Sequence, residues 1–248
     1  MTEPGPADHA ILDASLRRLR RTLPTADRLA VLMDLVQYWH GPIKPEDGIG
    51  LRELSTLTLP EPLRWWYGWA GRRTGLMGEK HCNRLYHPSG LGFPDDCLKI
   101  VDGKLVFYVE AQGVYAWFTE PAGDDPPVFC REASEKGMHP EGIVLSEHLI
   151  MACLFQVIQH NLRACFPSLD RATMERMLQG IPAMDIGTWT AWGGMHFHAA
   201  AGVFAMWCSL NGREFCVWIA AVGYEPVQFL REFSDQDAEH LDLEEETG

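Results

Sequence analysis

Two short stretches concentrate side chains able to hold a metal or activate a nucleophile. "HCNRLYH" supplies His81, Cys82 and His87, and "HFH" supplies His196 and His198. Alternate strand residues share a face, so a strand would put His196 and His198 side by side. Zinc takes four nitrogen or sulfur ligands, and two from each stretch would complete a site. Neither spacing follows a standard Cys/His pattern, and packed or hydrogen-bonded histidines account for the same residues. A cysteine nucleophile needs a histidine base and a third group to orient it, and none of the cysteines stands in such a local signature. GxGxxG, GxxxxGKS/T, GxSxG and HExxH do not occur. The sequence therefore nominates no catalytic residue, metal or cofactor, and it reads as a protein that is not an enzyme. A metal- or thiol-dependent hydrolase built on the histidine-cysteine clusters is the enzymatic alternative.

A second group of residues has the chemistry of contact. Glu110 is a lone acid in the apolar run "VFYVEAQGVYAWF". General acid-base work would need a partner that the sequence does not name; a carboxylate facing solvent or accepting from a neighbouring turn is the plainer role. Asp124 and Asp125 precede two prolines, which is turn chemistry, and they would also offer carboxylates to a basic partner. Trp65, Trp66 and Trp69 cannot all share one helix face, so at least one is expected at a boundary, where tryptophan anchors interfaces. The candidate partner-binding residues are Glu110, Gln112, Tyr115, Trp117, Asp124, Asp125, Trp65 and Trp69.

The elements that must position these residues follow from periodicity. Ile11, Leu12, Leu16, Leu19 and Leu23 mark one amphipathic helix, and Leu29, Leu32, Met33 and Val36 a second, capped by Thr25 and stopped at Gly41-Pro42. "EPLRWWYGWAGR" predicts a short helix burying Leu63, Trp66 and Tyr67. "HCNRLYHP" reads as a strand. "CLKIV" and "KLVFYVE" are strands joined by Asp102-Gly103, and the second pairs with "VYAWF" across Ala111-Gln112-Gly113. Ser146 caps a helix running to about His160, and Ser168 or Asp170 starts another carrying Met174, Met177 and Leu178. The hairpin signal of greatest strength is Asn211-Gly212 between "GVFAMWCSL" and "REFCVWIAAV". Helices, a meander, helices and a hairpin predict an α+β fold with an antiparallel or mixed sheet packed by helices.

Composition narrows the class. The chain has 248 residues, 46% of them hydrophobic, enough for a substantial core. Of its net charge of −13, seven charges come from the acids of residues 235–248, where no Lys or Arg balances them. That segment is expected to be a solvated, disordered tail. Outside Arg17, Arg18, Arg20 and Arg21 there is no basic footprint for direct contact with nucleic acid. Residues 186–212 carry no Asp, Glu, Lys or Arg, a length that spans a bilayer. Their glycines, histidines and Asn-Gly turn favour strands instead, so no membrane span is expected. Seven cysteines, odd in number and without a CxxC, fit a reduced cytoplasmic protein.

One family matches the order of the motifs. "LPEPLRWWYGWAG" (59–71), "GKLVFYVEAQGVYAWF" (103–118), "DDPPVF" (124–129) and "LSEHLIMACLFQVI" (145–158) resemble the SUKH superfamily of fungal cell-wall-synthesis regulators and bacterial immunity proteins. In that family a helix with an L-P-x-x-L-R-x-x-Y-like start precedes a glycine. A strand bearing Glu, then Gln/Asn-Gly and a strand ending in Trp, leads to an Asp-Pro-Pro loop. Glu110, Gln112, Gly113, Trp117, Asp125, Pro126 and Pro127 occupy those positions, and the resemblance covers roughly residues 55–165. It implies a SUKH-like domain over 46–234, with residues 1–45 as an N-terminal helical extension outside the pattern and 235–248 as the tail. It also implies binding of a cognate toxin, often a nuclease, or in the alternative a regulatory scaffold role.

Overall fold

The computed structural model describes residues 5–73, 84–86, 98–190 and 193–243. The architecture is α+β, and every strand pairing among the described residues is antiparallel. The chain forms two compact units. One, the meander unit, comprises Pro24–Ala30 and Pro42–Gln156; the other, the hairpin unit, comprises Met1–Leu23, Val31–Gly41 and Val157–Gly248. Residues 46–234, read from the sequence as one domain, contribute to both units, and so do residues 1–45.

After α1 (Pro6–Arg18), in the hairpin unit, and α2 (Thr25–His40), divided between the two units, a short 3-10 turn at Pro45–Asp47 leads to the meander unit's helices α3 (Leu51–Leu54) and α4 (Glu61–Ala70). Leu63, Trp66 and Tyr67 are fully buried, as the helical spacing requires. Gly48 packs on α4 because it has no side chain: a Cβ there would stand 2.1 Å from the Gly68 carbonyl oxygen. Ile49 N–H donates to the Tyr67 carbonyl at 2.8 Å in the same contact. The sheet contains β1 (Arg84–Leu85), β2 (Lys99–Val101), β3 (Lys104–Val109), β4 (Tyr115–Thr119), β5 (Pro127–Glu132) and β6 (His139–Val144). Its order is β1-β3-β4-β5-β6, with β2 also on β3. Asp102 (φ 51°) and Gly103 (φ 77°) form the tight turn before β3, where both positions need left-handed backbone. Helix α5 (Leu145–Asn161) follows β6 directly.

The hairpin unit holds β7 (Leu162–Asp170), helix α6 (Arg171–Leu178), β8 (His196–Ala200), β9 (Val203–Ser209), β10 (Glu214–Ala221), a 3-10 segment at Glu225–Phe233 and β11 (His240–Leu241). The sheet order is β11-β7-β10-β9-β8. Met174, Met177 and Leu178 of α6 pack with Phe166, Phe215, Val217, Ile219 and Leu230 into one apolar cluster. Burying a side chain of that size contributes about 1.5–3 kcal/mol. Asp170 caps α6, its carboxylate accepting from Thr173 N–H at 2.9 Å. Asn211 closes the β9-β10 turn by accepting from the N–H groups of Arg213 and Glu214, each at 2.9 Å.

Four expectations change. Ser146, expected to cap the helix after β6, is the second residue of α5, and its N–H and hydroxyl donate to Asp125. The first helix ends at Arg18 rather than reaching Leu23, because Leu19 turns to extended backbone. Thr25 is the first residue of α2, and the Pro24 carbonyl accepts from Asp27 and Arg28 N–H. The acidic tail is ordered at its start: β11 pairs with Cys165 and Ala164, and Asp242 bridges Arg163 at 2.7 Å. A half-buried guanidinium gives that carboxylate a fixed partner.

Candidate partner-binding site

The β3-β4 hairpin is shaped by its own acid. Glu110 Oε2 accepts from Gln112 N–H (2.9 Å) and Val114 N–H (3.1 Å), and its carbonyl accepts from Gly113 N–H at 2.9 Å. Gly113 takes φ 73°, which a side chain would disfavour. The carboxylate is thus engaged in holding the turn, and Gln112 and Val114 project from it in exposed positions. Tyr115 is half-buried beside this tip. Burial raises its hydroxyl pKa, and the charges of Glu132, Glu135 and Glu110 raise it further. Ala133 N–H donates to the Val114 carbonyl at 2.7 Å, so the β5-β6 turn closes on the same tip.

Trp117 is not on the surface. It is fully buried, and its indole N–H donates to Glu141 Oε1 at 3.2 Å. Strand alternation puts Tyr108, Trp117 and Cys130 in register on one face. There the ring of His148, from α5, meets Phe107, Tyr108 and Trp117 at centroid distances of 4.9, 5.0 and 5.6 Å. Burial pushes the His148 pKa down to about 3, so the imidazole is neutral at pH 7. The Cys130 thiol is pushed up by burial and by Glu141. Glu141 and the Cys130 thiol lie together beside Trp117, and the His148 ring packs against the Trp117 ring. In "LSEHLIMACL" the polar Glu147-His148 pair inside an apolar run was the available sequence signal.

Asp125 has an internal role as well. Its carboxylate accepts from Arg28 Nη2 (2.6 Å), Thr25 Oγ1 (3.0 Å), Ser146 N–H (2.9 Å) and Ser146 Oγ (2.6 Å). Arg28 Nε also donates to Ser146 Oγ at 2.7 Å. The Arg28 and Asp125 side chains are only 8% and 10% exposed, so this is a buried ion pair that also caps the first turn of α5. Asp124, its sequence neighbour, is exposed.

Trp65 and Trp69 are half-buried on α4, one turn apart, with ring centroids 5.2 Å apart; Trp69 also meets the buried Trp66 edge-on at 5.8 Å. The helix beneath them is held firmly. Tyr67 hydroxyl donates to the Tyr86 carbonyl, and the Arg64 guanidinium donates to the carbonyls of Leu54, Leu57 and Leu59 at 3.3–3.4 Å. On α3, Leu51 is 80% exposed. The candidate residues therefore divide into three places: a hairpin tip (Glu110, Gln112, Tyr115), a loop (Asp124) and an aromatic ledge (Trp65, Trp69). Trp117 and Asp125 lie inside.

The histidine-cysteine clusters have different fates. His198 Nδ1 meets the Ile181 carbonyl at 2.7 Å and its Nε2 accepts from Trp207 indole N–H at 3.2 Å, so both ring nitrogens are occupied. His196 stacks on Trp207 at 4.1 Å. His81, Cys82 and His87 lie outside the described residues. Among the described residues, no group of three or more His, Cys, Asp or Glu side chains is placed to hold a metal ion. No helix among them is long and apolar enough to cross a membrane. A groove of about 660 Å³ in the hairpin unit runs between α6 and the 3-10 segment, with Met177, Ile181, Phe229 and Phe233 in its lining and Arg176 over the Phe233 ring. Its lining contains no thiol, hydroxyl or imidazole, and Glu232 is its carboxylate.

No protein-family model matches the chain, and no curated protein or solved structure matches it.

Proposed function

We propose that this chain is a non-enzymatic protein-binding module of the SUKH type, acting in the cytoplasm as an immunity protein that occludes a cognate bacterial toxin. The observation that carries this reading is the Trp65-Trp69 ledge. Two large aromatic side chains stay half-exposed on a helix whose other face is buried and tied by backbone and guanidinium hydrogen bonds. Preorganised aromatic surface loses little entropy on binding and is a common location of interface hot spots. The order of α4, an antiparallel meander and α5 in the meander unit supports the family reading. The net charge of −13 would speed encounter with a basic toxin such as a nuclease.

The test is binding and protection against the toxin encoded beside this gene. A tight 1:1 complex is expected, with Trp65→Ala and Trp69→Ala each weakening it by about 30-fold or more, equivalent to about 2 kcal/mol. Binding that is unchanged in the double variant would remove the ledge from the interface. Absence of binding to any neighbouring toxin would overturn the immunity role.

A further inference from the structure

The Asn211-Gly212 turn joins β9 to β10 in the hairpin unit, and the proposed binding role does not use it. Asn211, Gly212, Arg213 and Glu214 are all exposed, so water reaches the turn. The Asn211 side chain is folded back over the peptide that links it to Gly212. Its Oδ1 accepts from Arg213 N–H and Glu214 N–H, each at 2.9 Å, and its Nδ2 donates to Glu214 Oε2. Gly212 N–H donates to Ser209 Oγ at 2.8 Å. Gly212 takes φ 79° and a Cβ there would have no neighbour within 4 Å, so the glycine nitrogen stands unscreened.

We propose that Asn211 is a modification site, at which the folded turn converts its own carboxamide into an isoaspartyl or aspartyl residue without an enzyme. The Gly212 nitrogen is the nucleophile, and the Asn211 carboxamide carbon is its target. Ser209 Oγ accepts the N–H that must be given up. Two backbone N–H groups face the oxygen on which negative charge collects in the tetrahedral intermediate. Glu214 fixes the rotation of the carboxamide by holding its nitrogen, so the reacting groups are oriented before the reaction begins. A bond forms between Gly212 N and Asn211 Cγ, and the bond from Cγ to Nδ2 breaks. The proton lost by Gly212 is matched by one gained by the leaving nitrogen, which departs as ammonia. Water, the only other reactant, then opens the five-membered imide. Opening at the side-chain carbonyl gives aspartate, and opening at the main-chain carbonyl gives isoaspartate, with the chain rerouted through Cγ.

The product alters the turn that made it. A carboxylate replaces the carboxamide that donated to Glu214, so an attraction becomes a repulsion between like charges. Isoaspartate also lengthens the main chain by one carbon between Leu210 and Glu214, whose N–H to carbonyl bond of 2.9 Å closes the hairpin. The other described asparagine, Asn161, lacks this arrangement. It ends α5, the bulky Leu162 follows it, and its Nδ2 donates to the Val157 carbonyl at 3.4 Å.

The full-length protein is incubated at neutral pH beside a synthetic peptide of residues 205–217, and both are sampled over days. Mass spectrometry reads conversion at Asn211, and methylation by a protein isoaspartyl methyltransferase measures the isoaspartate. Conversion in the folded protein is expected to match or exceed that in the peptide, while Asn161 stays unchanged. Ser209→Ala removes the acceptor of the Gly212 proton and is expected to slow conversion in the folded protein by about threefold or more. The same change in the peptide should have no effect. An unmodified Asn211, or conversion that lags behind the peptide, would overturn the proposal. So would equal rates in folded wild type and folded Ser209→Ala. If Ser209→Ala lost its fold by circular dichroism, the comparison of wild type with peptide would decide alone.

Discussion

Beneath the five-stranded sheet of the hairpin unit lie Phe166, Met174, Met177, Phe215, Val217 and Leu230, without a charge among them. The meander unit also buries large apolar side chains, but it encloses Glu141, Glu147 and His148 as well, together with the Arg28-Asp125-Ser146 network. Apolar packing is non-directional, so neighbouring side chains adjust to a volume-conserving change. A buried polar network depends on every member, because an ion left without its partner keeps its full desolvation cost. The apolar cluster beneath the five-stranded sheet should therefore tolerate conservative substitution, and the Arg28-Asp125-Ser146 network should not.

The sharpest way to break this contrast is Asp125→Asn, which keeps shape and removes the countercharge of Arg28. A loss of about 3–5 kcal/mol is expected, read as a fall in the urea unfolding midpoint of the meander unit. An effect below about 1 kcal/mol would show that the network does not stabilise this unit. His148 gives a pH signature. Its folded pKa, about 3, lies below the ordinary value of 6.5, so the unfolded chain takes up a proton first as pH falls. Stability from this residue is fully present above pH 6.5 and declines from there towards pH 3. The wild type should lose about 2 kcal/mol between pH 6.5 and pH 5 relative to His148→Phe, and parallel profiles would contradict the burial. On the apolar side, Met177→Leu should cost less than about 1.5 kcal/mol; a larger loss would erase the distinction between the two interiors. Glu110→Ala should cost about 1 kcal/mol and speed amide exchange at Gln112 and Val114, since both N–H groups lose their acceptor. Smallest of all, Asp124→Ala should stay within about 0.5 kcal/mol, one residue away from the largest effect.

Where a structural device is local, the residues display it. Asp102, Gly103 and Gly212 take left-handed backbone, and the Asn211-Gly212 and Asp102-Gly103 pairs mark hairpins that the structure contains. The spacing of Leu63, Trp66 and Tyr67 marks the buried face of α4. Strand β7 was hidden because it follows α5 without a loop and contains Pro167, which ordinarily demotes a strand. The register between β7 and β10 shifts at that proline, so a bulge accommodates the missing N–H donor. The site was less legible for the same reason. Asp125 looked like turn chemistry beside two prolines, while its principal partner, Arg28, lies 97 residues away in the chain. Nothing in a single sequence links such a pair.

The meeting of Gly48 with the Gly68 carbonyl has a use beyond packing. With a would-be Cβ at 2.1 Å, even alanine is excluded unless two backbone segments separate. A relative that has replaced most of its surface, Trp65 and Trp69 included, should still carry a glycine at this position ahead of its aromatic helix. The spacing from that glycine to the Tyr67-Gly68 pair then serves as an alignment anchor across divergence that would erase the surface residues.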